Sequence, residues 1–289
     1  MYKTFLCILS LVLCLLGGCS KKESHCDVLV SIPPYIYFVN ELTEGQLTAV
    51  SLVPSGANPH LYEPTPKQVQ QAKDAKVWIR LSENFEKKIA KSLQEQNKDL
   101  TILNLAETIN LLPLQSDKQC CSCSHCLDTE SKDLHIWLSL KLAHTQALEI
   151  ANVLIKAFPE KKEMIQKNLI LLQDKFAEAD ISFTKKLAPF KNEAILVSHP
   201  AFGYFCHDYE LEQISIEYDG KDPLPGQLAD ILQLTETTKI RTVFTQAQYN
   251  NKGAEIISRK LQLPIHEVDP YSADYLNNLK HIVHLIVEP

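Results

Sequence analysis

Residues 161–186 read KKEMIQKNLILLQDKFAEADISFTKK, with neither glycine nor proline. Met164, Ile165, Leu169, Leu172, Phe176, Ile181, Phe183 and then Leu187 recur at a spacing that suits one face of a helix. Pro159 precedes the run and Pro189 ends it. At 1.5 Å per residue such a helix is about 40 Å long, enough to run the length of a pair of domains. On its N-terminal side, short apolar runs at 27–34 (DVLVSIPP), 47–54 (LTAVSLVP), 76–81 (KVWIRL) and 100–105 read as strands. Helical patterns fall between or after them, one from Thr65-Pro66 through 68–73, one over 84–96 and one over 139–158. Thr65 before Pro66 makes an N-cap followed by proline at the first helical position. On the C-terminal side, strands at 193–197, 210–217, 241–245 and 265–268 alternate with helices at 225–237, 251–261 and 273–287. Alternation of this kind argues for α/β units around parallel sheets. The expected fold is α/β, with two lobes of parallel-type sheets flanked by helices and joined by one long rigid helix. The lobes would span 27–160 and 189–289, the connecting helix 161–188, and a cysteine-rich loop 115–132 would interrupt the first lobe.

The chain has 289 residues, 45% of them hydrophobic and 22% charged, with only eight glycines. This is the composition of a globular protein with a sizeable core. Residues 1–18, MYKTFLCILSLVLCLLGG, place one cation (Lys3) before an apolar run and small residues. That pattern is a secretory signal, too short and wrongly flanked for a membrane span. Leu16-Gly17-Gly18-Cys19 has the shape of a bacterial lipobox, so the expected mature protein begins at Cys19, carries lipid there, and is tethered by residues 19–26. The expectation is an exported, membrane-anchored lipoprotein, in the periplasm or on the outer face of the cytoplasmic membrane. The formal charge of −6 (29 Lys+Arg, 35 Asp+Glu) becomes −7 when Lys3 leaves with the signal. A mildly acidic chain without a basic run carries no electrostatic footprint for nucleic acid.

Four residues stand at strand ends or in the loops that follow, where open α/β sheets place their ligands. His60 closes the turn-rich stretch 55–60. His135 lies just ahead of a helix, His199 follows the strand AILV, and Asp269 follows IHEV, before Pro270. They sit in four segments: VSLVPSGANPHLYEPTP (50–66), DLHIWLS (133–139), LVSHPAFGYF (196–205) and HEVDPYSADY (266–275). In this order and spacing the four segments resemble the metal-specific substrate-binding lipoproteins of bacterial ABC importers, which capture zinc, manganese or iron outside the membrane. The resemblance runs from about Val28 to the C-terminus. It implies one metal held in the cleft between two lobes, with His60 and His135 from the first lobe and His199 and Asp269 from the second. It also implies an ABC permease membrane subunit as partner, a lipid anchor in the bilayer, and a monomer that is not an enzyme.

Manganese-type sites of that family tend to offer two histidines and two carboxylates. Three imidazoles and one carboxylate instead suit Zn2+, with Mn2+ and Fe2+ as the alternatives. In some zinc-type members water or another carboxylate replaces the residue at Asp269. Two departures stand out. The family commonly has Asp-Pro-His where this chain has Asn58-Pro59-His60, which removes a carboxylate from behind the histidine. It often has a glutamate in the segment that here reads FTQAQ (244–248). Asp133 either caps the helix that starts near Ser139 or orients the loop, and Trp137 reads as core.

Residues 119–126, QCCSCSHC, gather Cys120, Cys121, Cys123, His125 and Cys126. Zinc-type relatives often carry a His-rich acidic insert at this place. The cluster is either an accessory loop that gathers a second, softer ion or, in an oxidising compartment, a loop closed by disulfide. Cys26 and Cys206 read as buried or disulfide-linked, and His25, His207, His281 and His284 as surface residues. An exported zinc hydrolase using the three cleft histidines and a water is the enzymatic alternative. His266-Glu267-Val268-Asp269 is not the HExxH arrangement it would need. An adhesin that shares the fold is a third reading.

Overall fold

Four short strands on each side of the long helix pair in parallel, forming two separate sheets. The computed structural model describes residues 25–114, 132–217 and 223–289. In the first sheet, β1 (Val28–Val30), β2 (Ala49–Ser51), β3 (Val77–Arg80) and β4 (Thr101–Asn104) lie in the order β2-β1-β3-β4. In the second, β5 (Ala194–Val197), β6 (Glu212–Ser215), β7 (Ile240–Gln246) and β8 (Ile265–Val268) lie in the order β6-β5-β7-β8. Every pair is parallel. Each chain path goes out to one side of its first strand and returns to the other. Each sheet therefore has a switch point, and the loops at the carboxyl ends there form a crevice suited to a ligand.

The helices are α1 (Pro34–Thr43), α2 (Pro66–Gln71), α3 (Asn84–Gln96), α4 (Leu140–Ala157), α5 (Lys162–Leu187), α6 (Gly203–Tyr209), α7 (Pro225–Leu234), α8 (Lys252–Leu261) and α9 (Tyr275–Val287). At α2 the cap expected from sequence is a full capping box: Thr65 accepts from the Gln68 backbone N–H, and Gln68 reaches back to Thr65. Two helices escape the sequence reading. Pro33 and Pro34 do end the first strand, but Pro34 also opens α1, because proline is well suited to the first helical turn. The seven residues of α6 include five buried ones, Gly203, Tyr204, Phe205, Cys206 and Tyr209, so no amphipathic period shows.

α5 is the long helix expected from residues 161–186. Its buried residues, Ile165, Asn168, Leu172, Phe176, Ala179, Phe183 and Leu187, follow one another at three or four positions. Against that stripe pack α1, α4 and α9. Phe176 lies 5.5 Å from Phe38 of α1 and 6.0 Å from Tyr275 of α9, ring centre to ring centre. One hydrophobic core therefore runs from Cys26 to Ile286, through both halves. A second, small cluster (Ala194, Leu196, Ile214, Ile216, Ile231, Val243, Ala254, Ile257) lies within the second half alone. Hydrogen bonds also cross between the halves. Trp137 Nε1 donates to the Pro270 carbonyl at 2.7 Å, Tyr275 Oη to the Trp137 carbonyl at 2.5 Å, and Tyr204 Oη to the Asp133 carbonyl at 2.8 Å. Among the described residues no helix is long and apolar enough to cross a membrane.

Candidate metal centre

Each of the three histidines reaches the cleft by a different local device. His60 sits in the loop after β2, where Gly56 takes a left-handed turn conformation (φ 80°). The Asn58 side-chain oxygen accepts from the His60 backbone N–H at 2.9 Å, which fixes the turn. His135 precedes a single 3-10 turn, Ile136–Leu138. Of the two roles open to Asp133, the structure assigns the orienting one. Its Oδ1 accepts from the His135 backbone N–H at 2.9 Å and lies 2.7 Å from Nδ1, while Ser139 itself caps α4. A side chain at Gly203 would place its Cβ 2.6 Å from Asp133 Oδ2, so only glycine leaves room for this arrangement. His199 stands two residues beyond the end of β5, and its backbone N–H donates to Gln246 Oε1 at 2.6 Å.

The three imidazoles meet at their Nε2 atoms. His60 Nε2 is 3.1 Å from His199 Nε2, which is 3.3 Å from His135 Nε2. Each ring has a carboxylate at its other nitrogen. His135 Nδ1 faces Asp133 at 2.7 Å, His199 Nδ1 faces Glu217 Oε2 at 3.0 Å, and His60 Nδ1 faces Glu83 Oε2 at 3.4 Å. A carboxylate at Nδ1 fixes the proton there and turns the Nε2 lone pair inward. Three lone pairs aimed at one point repel one another unless a cation stands between them. Two donors bound tetrahedrally at about 2.0–2.1 Å lie roughly 3.3–3.4 Å apart, close to the spacing found. Burial, with His135 and His60 close by, holds His199 well below the ordinary histidine value, so it is a neutral imidazole. Burial opposes the charged form of His60 too, but the hydrogen bond and charge of Glu83 outweigh it and raise its pKa. Glu83 is lowered in turn, its burial outweighed by His60.

Among the described residues, His60, His135 and His199 are the group of candidate ligands gathered this closely, with one atom from each within 4.8 Å of the others. Asp269 is not among them. Its Oδ1 accepts from Gln248 Nε2 at 2.6 Å and from the Tyr271 backbone N–H at 2.9 Å. Tyr271 Oη lies 3.3 Å from His135 Nε2 and 3.0 Å from Tyr249 Oη. The Tyr249 ring stacks on His199, 4.1 Å apart and 5° from parallel. Glu83, Glu217, Tyr249 and Tyr271 are absent from the sequence reading. Glu83 and Glu217 follow β3 and β6 within a few residues, so the strand-end rule that found the histidines would have found them if applied to every strand. Asn58 does not leave His60 without a carboxylate, because Glu83 supplies one from another loop.

Cys19 and the cluster Cys120, Cys121, Cys123, His125 and Cys126 lie outside the described residues. Cys26 and Cys206 are buried free thiols, and burial pushes Cys26 up to about 12. Trp137 is core, and His25, His207, His281 and His284 are exposed.

Residues 28–288 match the sequence family described as zinc-uptake complex component A, periplasmic. The chain belongs to this family. Its members are substrate-binding proteins of ABC importers, not enzymes. A protein of Chlamydia muridarum described as metal-binding is 29% identical over 254 residues, covering 88% of this chain and 87% of its own length. The high-affinity zinc uptake system protein ZnuA of Haemophilus influenzae is 26% identical, with 86% of each chain covered. A crystal structure of ZnuA superposes with a TM-score of 0.81 at 27% identity, covering 91% of this chain and 98% of the other.

Proposed function

We propose that this protein captures Zn2+ outside the cytoplasmic membrane and delivers it to an ABC permease. The observation that carries the proposal is the convergence of three Nε2 atoms, each imidazole backed at Nδ1 by a carboxylate. His60, His135 and His199 are the proposed ligands. Neutral imidazoles favour Zn2+, whereas Mn2+ favours carboxylate and water. The neutral state of His199 supports this choice, because a protonated imidazole has no lone pair to give. Asp269 or a water is the proposed fourth donor, and Asp269 Oδ1 accepts from the Tyr271 backbone N–H. The proposed lobes are 27–160 and 189–289, bridged by 161–188. The mature chain would start at lipidated Cys19 and act as a monomer. Residues 119–126 would form an accessory loop. Family membership supports the permease partner and the extracytoplasmic location.

Metal analysis of protein purified without added metal tests the proposal, with His60→Ala and His199→Ala in parallel. One tight zinc per chain in the wild type, lost in both variants, is expected. Equal zinc in all three would refute the cleft assignment. Manganese or iron in place of zinc would refute the choice of cargo.

A further inference from the structure

Glu83 follows β3 and directly precedes α3, in a loop, yet it is only 4% exposed. A buried carboxylate is costly unless an opposite charge or hydrogen-bond donors face it. The residue occupies the N-cap position of α3, but its side chain makes no capping hydrogen bond. The carboxylate is turned instead to His60 Nδ1, at 3.4 Å. Glu86, one turn on, does not compete for that imidazole. Both its oxygens accept from the Leu81 backbone N–H, at 2.9 and 3.2 Å. Immediately before Glu83, Ser82 holds a left-handed backbone (φ 71°), and its hydroxyl accepts from Asn104 Nδ2 at 2.6 Å. Strain in a non-glycine residue persists where the surroundings enforce it, and it concentrates at functional sites. Asn58, close to His60 in sequence, is uncharged and already accepts from the His60 backbone N–H.

We propose that Glu83 is the positioning residue of the rim histidine. It fixes the proton on His60 Nδ1, aims Nε2 at His135 and His199, and strengthens His60 as a donor to the metal. This rests on the reading of the three histidines as Zn2+ ligands. His135 and His199 are 2% and 6% exposed, so packing restrains their rings in addition to Asp133 and Glu217. A third of the His60 side chain (33%) is open to solvent, so its orientation depends on the carboxylate.

A thermodynamic cycle with Zn2+ and a competing chromophoric chelator tests the assignment, using wild type, Glu83→Gln, His60→Ala and the double variant. Glutamine keeps the shape of glutamate and preserves the packing. Glu83→Gln should lower zinc affinity about 10–100-fold, and should lower it no further when His60 is already alanine. Wild-type affinity in Glu83→Gln, or the same loss in both backgrounds, would overturn the proposal. If His60→Ala binds zinc as tightly as wild type, the three-histidine reading itself falls, and the two failures are thereby distinct. A measurement on unmutated protein guards against a variant that does not fold. Imidazole 15N resonances of the zinc-loaded protein should show His60 protonated at Nδ1 and bound through Nε2. The opposite arrangement would overturn the proposal.

Discussion

The two halves share a strand order but enclose His60 and His199 to different degrees. In the first half, His60 stands on a turn at the cleft rim, partly open to solvent, with Glu83 raising its pKa. In the second half, His199 follows a buried strand, stacks flat on Tyr249, and is kept neutral by burial beside two other imidazoles. Both rings have a carboxylate at Nδ1, Glu83 for His60 and Glu217 for His199, but only His199 is also enclosed by a stacked ring and burial. The cores differ in a parallel way. The large core crosses both halves along α5, while the small cluster stays within the second. A site shared between lobes needs them held in register, and the shared core supplies that.

The sharpest way to break this comparison is Phe176→Ala on α5. Phe176 is fully buried between α1 and α9, so its truncation should cost about 3–5 kcal/mol in denaturant unfolding. A loss below about 1 kcal/mol would mean that α5 does not hold the halves together. Next in size is His199→Ala. Removing a direct ligand should lower zinc affinity by more than about 100-fold, the upper range for losing an outer partner. Chelator competition would show it.

Acid should sharpen the contrast between the two histidines. For the metal-free protein, a raised His60 pKa contributes stability that is present below the unfolded value of about 6.5 and lost as pH rises through the folded value. Zinc binding runs the other way, since it needs Nε2 free of a proton. Affinity should therefore be full above the raised His60 value and fall about tenfold per pH unit below it. His199, already neutral, adds no step in that range. Glu83→Gln should move the fall to lower pH, and an unmoved profile would contradict the role given to Glu83. The smallest effect belongs to the small cluster: Ile257→Val should cost about 0.5–1.5 kcal/mol and leave zinc affinity unchanged. A change in affinity would show that this cluster is coupled to the cleft.

Much of this was legible in the sequence. The α5 stripe, the alternation of strands and helices, and the Thr65 cap are local patterns that the chain carries wherever it is read. His60, His135 and His199 are weak signals singly and stood out through the order and spacing of the four segments that carry the family resemblance. What stayed hidden depends on contacts between distant segments. Glu83 and Glu217 look like solvated loop acids until the fold sets them against imidazoles 23 and 18 positions away. α6 has no visible period because nearly all of it is buried. Asp269 lies outside the close group of three histidines, and its Oδ1 accepts from Gln248 and the Tyr271 backbone.

Zinc X-ray absorption of the protein loaded with one equivalent of Zn2+ tests the central claim most directly, because nitrogen and sulfur donors lie at different distances. The arrangement of His60, His135 and His199 predicts a shell of three imidazoles at about 2.0–2.1 Å and no sulfur. A dominant sulfur shell near 2.3 Å would place the first zinc on the cysteines of residues 119–126 and contradict the account.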